Sequence, residues 1–185
     1  YQVENIQNAL AILSCLRQRG LIRSIKDSAI KNALERVRLP GRMQLLRGDP
    51  EIIIDPAHCV TGATALARSL KEHFGRESAH LAVAMMRDKN HDGYFKVLST
   101  WGGWQHIWCF QGDTPRSMPA QDLAAVARKY FRDVSIVQAT SDMLKLIRKN
   151  TERMNRVVVT GSIFHLGQFL PVENKNHGKH QEIGN

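Results

Sequence analysis

Residues 51–66 read EIIIDPAHCVTGATAL. Three β-branched isoleucines, Ile52 to Ile54, form a short, stiff apolar run that predicts a strand buried on both faces. Asp55, His58 and Cys59 then arrive before the small residues that open a helix. In an open parallel sheet, ligands sit beyond the carboxyl ends of the strands, where the chain enters the next helix. A carboxylate, an imidazole and a thiol at such a point mark this strand end as a candidate binding rim.

The pattern repeats in both directions along the chain. Short apolar runs at 43–46, 52–54, 81–86, 106–110, 134–137 and 157–160 alternate with helical stretches at 63–74, 93–99, 120–131 and 141–150, and with another after Ser162. Doubly buried strands separated by crossover helices predict an α/β fold: a Rossmann-like, mostly parallel sheet with helices on both faces. The first run is joined to the next by a short GDP turn, so 43–46 is expected to be an antiparallel partner at the sheet edge.

Two helices precede this domain. In 3–19, Ile6, Leu10, Leu13 and Leu16 recur at helical spacing until Gly20. In 24–37, Ser24 is a cap candidate, and Ile25, Ala29, Ile30, Ala33, Leu34 and Val37 form a stripe expected to be buried. Pro40 and Gly41 then mark a junction or hinge. At the other end, ENKNHGKHQEIGN (173–185) is expected to be a disordered polar tail; His177 and His180 lack fixed partners for a metal site.

Composition excludes several classes. The 185 residues are 43% hydrophobic and 23% charged, which suits one domain carrying a piece of a neighbour. Cys15, Cys59 and Cys109 are odd in number and far apart, against a disulfide framework and in favour of a reducing cytoplasm. No apolar run approaches the roughly 18–20 residues of a membrane span, and no leader is evident. The chain opens YQVENIQNAL without methionine, as a fragment of something longer would. The net charge of +9 is dispersed over nearly every helix. Such dispersion describes solvated faces rather than a nucleic-acid interface, and steers small polyanions toward the surface.

Each strand end can be read in two ways. Asp55 can accept hydrogen bonds from sugar hydroxyls or cap a helix. His58 can meet an anion and move a proton near neutral pH, or pack in a loop. Cys59 is a nucleophile or a small loop filler. Arg87, Asp88 and Lys89 end another strand, and Thr160, Gly161 and Ser162 a third, where Gly161 allows close backbone approach and Ser162 stands at a helix start. No GxxxxGK[ST] loop, GxGxxG turn, HExxH, paired-cysteine or EF-hand pattern is present. A phosphate cradle for nucleotide chemistry would therefore have to lie elsewhere.

The ordered series NA in IQNALAIL, LPGRMQLL, IIIDPAH, MMRDKN and VVVTGSIF resembles the C-terminal part of folylpolyglutamate synthase and dihydrofolate synthase, members of the Mur ligase superfamily. The resemblance runs from Tyr1 to about Leu170. It implies that 1–38 are terminal helices and linker of a central ATPase domain, and that 39–170 are the Rossmann-like C-terminal domain. It implies an ATP-dependent ligase that adds L-glutamate to dihydropteroate or folylpolyglutamate through an acyl phosphate. The Mg2+ ligands and the P-loop would lie in the preceding domain, and the fragment would be inactive alone. By the same resemblance, Asn8, Arg42 and Asp55 serve ATP, at the adenine, across the domain gap and at the ribose. His58, Ser162 and Lys89 serve glutamate, with His58 also catalytic. The expected partners are the substrates and the chain's own ATPase domain, in a monomer free of nucleic acid and membrane.

The family's usual Asn-Pro after the histidine is Cys59-Val60 here, and the second aspartate of its DKD pattern is Asn90. A noncatalytic binding module that kept the fold is the alternative. A cell-wall Mur ligase C-terminal domain shares the layout but not the whole series.

Overall fold

The computed structural model describes residues 2–37, 39–75, 77–149 and 155–170. The polar tail read at 173–185 lies outside the described residues. Two compact units are present, Tyr1–Pro40 and Gly41–Asn185.

The first unit holds α1 (Gln2–Gln18) and α2 (Asp27–Arg36). Gly20 stops α1 in a left-handed conformation, φ 71°. Two expectations fail here. The cap of α2 is Lys26, which makes no side-chain cap bond, rather than Ser24. The apolar stripe is also open: α2 buries no residue, and Ile25, Leu34 and Val37 are 39%, 40% and 51% exposed. Two helices enclose too little volume to cover both of their own apolar faces.

The second unit is built on β1 (Gln44–Leu46), β2 (Glu51–Ile54), β3 (Ala79–Val83), β4 (Trp104–Phe110), β5 (Val134–Val137) and β6 (Arg156–Thr160). They form one six-stranded sheet in the order β1-β2-β6-β3-β4-β5. Every pairing is parallel except β1 with β2, the antiparallel edge pair that the GDP turn predicts. The central strands β2, β6 and β3 are all but buried on both faces, which is why their sequences are apolar runs without alternation.

Between the strands run α3 (Val60–Phe74), α4 (His91–Leu98), α5 (Ala120–Ala127) and α6 (Thr140–Lys149), and α7 (Ile163–Leu166) follows β6. One face packs Leu66, Leu70, Tyr94, Phe95, Leu98 and Leu123 from α3, α4 and α5 against Ile53, Leu81, Ile107 and Val158. The other packs Met143 and Ile147 of α6, Leu166 of α7 and Phe169 against Ile54, Ala82, Phe110 and Val159. Each large apolar side chain enclosed this way contributes about 1.5–3 kcal/mol.

The strand expected at 81–86 is shorter at that end: β3 stops at Val83, and Met86 makes only an isolated antiparallel bridge to Ser117. The helix expected at 93–99 starts at His91 because Asn90 caps it, its Oδ1 accepting from the Gly93 N–H at 2.9 Å. The helix after Ser162 is a single turn of four residues.

Opposite the carboxyl rim, Arg156 fastens the sheet. Its guanidinium donates to Glu51 at 2.6 and 3.0 Å and to Glu77 at 2.7 Å, and lies 4.0 Å over the Phe74 ring. Four segments meet on that one cation.

Candidate functional site

The topology gathers the strand-end residues. β2, β6 and β3 are consecutive in the sheet and point the same way, so their following loops share one rim. β1 runs antiparallel to β2 with Gln44 opposite Ile54, so the turn before it, bearing Arg42, reaches the same rim. Arg42, Asp55, His58, Lys89 and Ser162 therefore stand along one edge of the second unit. Asn8 lies exposed on α1 of the first unit.

Asp55 is 3% exposed. Its Oδ2 accepts from the Met43 N–H at 3.0 Å and its Oδ1 from the Ala57 N–H at 2.9 Å. The first bond holds the turn that presents Arg42, where Gly41 and Met43 both have positive φ, 74° and 47°. Gly41 N–H also donates to Gln44 Oε1 at 2.6 Å. Asp55 thus orders its neighbours first, and a ribose hydroxyl would share oxygens that already hold backbone donors. The helix cap is Cys59 instead, whose Sγ accepts from the Gly62 N–H at 3.4 Å. A thiol thus caps the start of α3.

His58 is exposed. Its Nδ1 donates to the Pro56 carbonyl at 2.9 Å, so in the neutral ring the Nε2 lone pair is left for an external partner. Ser162 is 3% exposed, and its Oγ accepts from the Phe164 N–H at 3.3 Å while retaining its own proton to donate. Gly161 precedes it with φ 104°, where an added Cβ would overlap the Ala84 carbonyl oxygen just past the end of β3.

The β3–α4 loop is anchored by His91, whose Nε2 donates to the Met86 carbonyl at 2.9 Å. Lys89 lies 3.3 Å from Asp88, which Arg116 also approaches at 3.5 Å. The Lys89 bond, with that cation and Arg116, keeps the Asp88 carboxyl below its ordinary range. Arg87 turns back, its Nε donating to the Ser117 carbonyl at 3.0 Å. Among the described residues no group of three or more His, Cys, Asp or Glu could hold a metal ion, and no helix is long and apolar enough to cross a membrane.

One rim residue escapes sequence reasoning. Tyr94 is fully buried in the apolar register of α4, which reads as plain core, yet its hydroxyl lies 3.1 Å from the Ala57 carbonyl and 3.1 Å from Thr160 Oγ1. Thr160 Oγ1 is itself 3.2 Å from that carbonyl. Burial pushes the phenol well above its ordinary range. These partners are 37 and 66 residues away in the chain, so no local pattern signals them.

A mostly parallel α/β unit whose polar strand-end residues share the carboxyl rim of its central strands defines a Rossmann-like domain. The chain belongs to the family described as Mur ligase, glutamate ligase domain, which matches residues 41–163. It is 27% identical over 167 residues to the dihydrofolate synthase/folylpolyglutamate synthase of Bacillus subtilis, a match covering 88% of this chain and 38% of that protein. It is similar in structure to folylpolyglutamate synthase of Thermotoga maritima, with a TM-score of 0.71 and 28% identity over 95% of this chain and 39% of that one. Its fold is also that of Escherichia coli FolC solved in complex with DHPP and ADP, with a TM-score of 0.73 and 22% identity over 89% of this chain and 37% of that one. The chain spans well under half the length of these relatives.

Proposed function

We propose that this chain is the glutamate-presenting C-terminal domain of an ATP-dependent ligase that joins L-glutamate to dihydropteroate or to a folylpolyglutamate. The observation that carries the reading is the shared rim of Arg42, Asp55, His58, Lys89 and Ser162, in a glutamate ligase domain whose Bacillus relative is a dihydrofolate and folylpolyglutamate synthase.

ATP supplies the phosphoryl group that turns the acceptor carboxylate into an acyl phosphate, so that phosphate leaves when the amine attacks. Arg42, held on its turn by Asp55, pairs with the nucleotide across the gap to the ATPase domain. Asp55 meets its ribose. Ser162 donates its hydroxyl proton to a glutamate carboxylate, and Lys89 supplies the countercharge. His58 Nε2 takes the proton that the glutamate ammonium must lose before its nitrogen is nucleophilic. The Mg2+ ligands belong to the preceding domain, so these 185 residues alone do not ligate. The working protein is a cytoplasmic monomer that closes its own two lobes on the substrates and excludes water.

The test is glutamate incorporation by the intact gene product with each acceptor. In that protein Arg42→Ala is expected to raise the KM for ATP about tenfold and Ser162→Ala the KM for glutamate by a similar factor, roughly the worth of one charged hydrogen bond. An unchanged ATP response in the first variant would remove Arg42 from its role. No incorporation at all would favour a binding module that kept the fold.

A further inference from the structure

We propose that Tyr94 is a positioning residue for glutamate, because its buried hydroxyl locks the loop carrying His58 to the loop carrying Ser162. The inference rests on the ligase reading for its substrate and on the hydrogen-bond geometry for the lock.

Three oxygens form the lock: the Ala57 carbonyl, Thr160 Oγ1 and Tyr94 Oη, mutually 3.1 to 3.2 Å apart. The two hydroxyls bring two protons, so one satisfies the carbonyl and the other joins the hydroxyls, whichever way the pair is oriented. The Ala57 carbonyl belongs to the same planar peptide unit as the His58 N–H, so fixing it fixes the plane from which His58 departs. The Ala57 N–H is held at the other side by Asp55 Oδ1 at 2.9 Å. Thr160 is the last residue of β6, two positions before Ser162. Tyr94 is fully buried and comes from α4, the helix that the Lys89 loop enters. It is the one member of the lock contributed by a helix.

Tyr94→Phe keeps the ring and leaves Thr160 bonded to Ala57, so the change removes only the third corner of the lock. The experiment uses the full-length protein with Tyr94→Phe, Thr160→Val and the double variant. Amide hydrogen exchange is expected to quicken about 3- to 10-fold in 56–62 and 160–164 together, the range one net hydrogen bond supports. The KM for glutamate is expected to rise by a similar factor with the KM for ATP unchanged, and the double variant, which leaves the buried Ala57 carbonyl without either hydroxyl donor, to exceed the sum of the two single effects. Exchange that changes only around residue 94, equal rises in both KM values, or additive effects would each overturn the proposal. Should Tyr94→Phe fail to fold, Thr160→Val gives the same readouts. If the unaltered full-length protein incorporates no glutamate, the ligase reading fails, and the exchange measurement still decides whether the lock exists.

Discussion

At Gly161 the backbone turns through φ 104° while passing so close to β3 that any Cβ would overlap the Ala84 carbonyl oxygen. Alanine there meets both an unfavourable left-handed conformation and a backbone atom that cannot step aside. The strain alone costs about 1–3 kcal/mol, and relieving the overlap means parting β6 from β3. We expect Gly161→Ala to lower the free energy of unfolding by at least that amount, read from the urea midpoint and slope, with the loss visible even without substrate. An unchanged midpoint would mean the β3–β6 contact yields easily. The glycine thus sets how near Ser162 stands to the neighbouring loop. Cys59 illustrates the opposite freedom: its sulfur accepts the N–H of Gly62, the third residue of α3.

Among elements, the strands and the mostly parallel sense of their sheet were the most legible part of the sequence, whereas their order was not. Runs such as Ile52 to Ile54 and Val157 to Val159 are too short for helices and too uniformly apolar for exposed strands, so only a doubly covered sheet accommodates them. The antiparallel edge was readable from the brevity of the GDP turn. Boundaries were less so: α4 begins two residues early because Asn90 serves as its cap, and 84–86 leave the strand ladder where the rim begins. Along the candidate rim, the strand-end positions of Asp55, His58 and Ser162 were legible. Tyr94 was not, because its role depends on atoms far off in the chain. Arg156 was equally hidden, since its partners Glu51 and Glu77 become neighbours only when β2, β6 and the end of α3 assemble. Its side chain is 12% exposed, whereas Glu77 is 65% exposed. Arg156→Leu is therefore expected to cost about 1–3 kcal/mol, most of it from Glu51 left without its donor. Urea unfolding in low and high salt separates the two arms: the Glu77 arm weakens with salt, while the Glu51 arm persists.

For the molecule as a whole, His165 predicts an acid limit to stability. It is 2% exposed, packs edge-on to Phe110 at 5.1 Å, and donates from Nε2 to the Thr160 carbonyl at 3.4 Å. Nδ1 faces Gly112 with no partner among the described residues. Burial pulls its pKa from 6.5 down to about 4, opposed weakly by the Thr160 bond and by Asp113. A depressed folded-state value means that between pH 6.5 and 4 the unfolded chain holds the proton and the native one does not. Stability is complete above pH 6.5 and falls as the pH drops toward 4, by about 3 kcal/mol in all. Unfolding measured across that window should show the slope, and His165→Leu should flatten it; a slope unaltered in the variant would assign the acid loss to other groups.

The strand order carries a further consequence. β6 is the last strand in the chain, yet it lies between β2 and β3. Until it docks, those two strands each present an unpaired row of amide donors and acceptors, and the β1-β2 hairpin has no link to the remainder of the sheet. Assembly therefore waits on a long-range closure, a slow step by topology. A nascent polypeptide stalled before β6 would expose two adhesive edges at once, so synthesis of this domain has to run past residue 160 before the chain is safe from its neighbours.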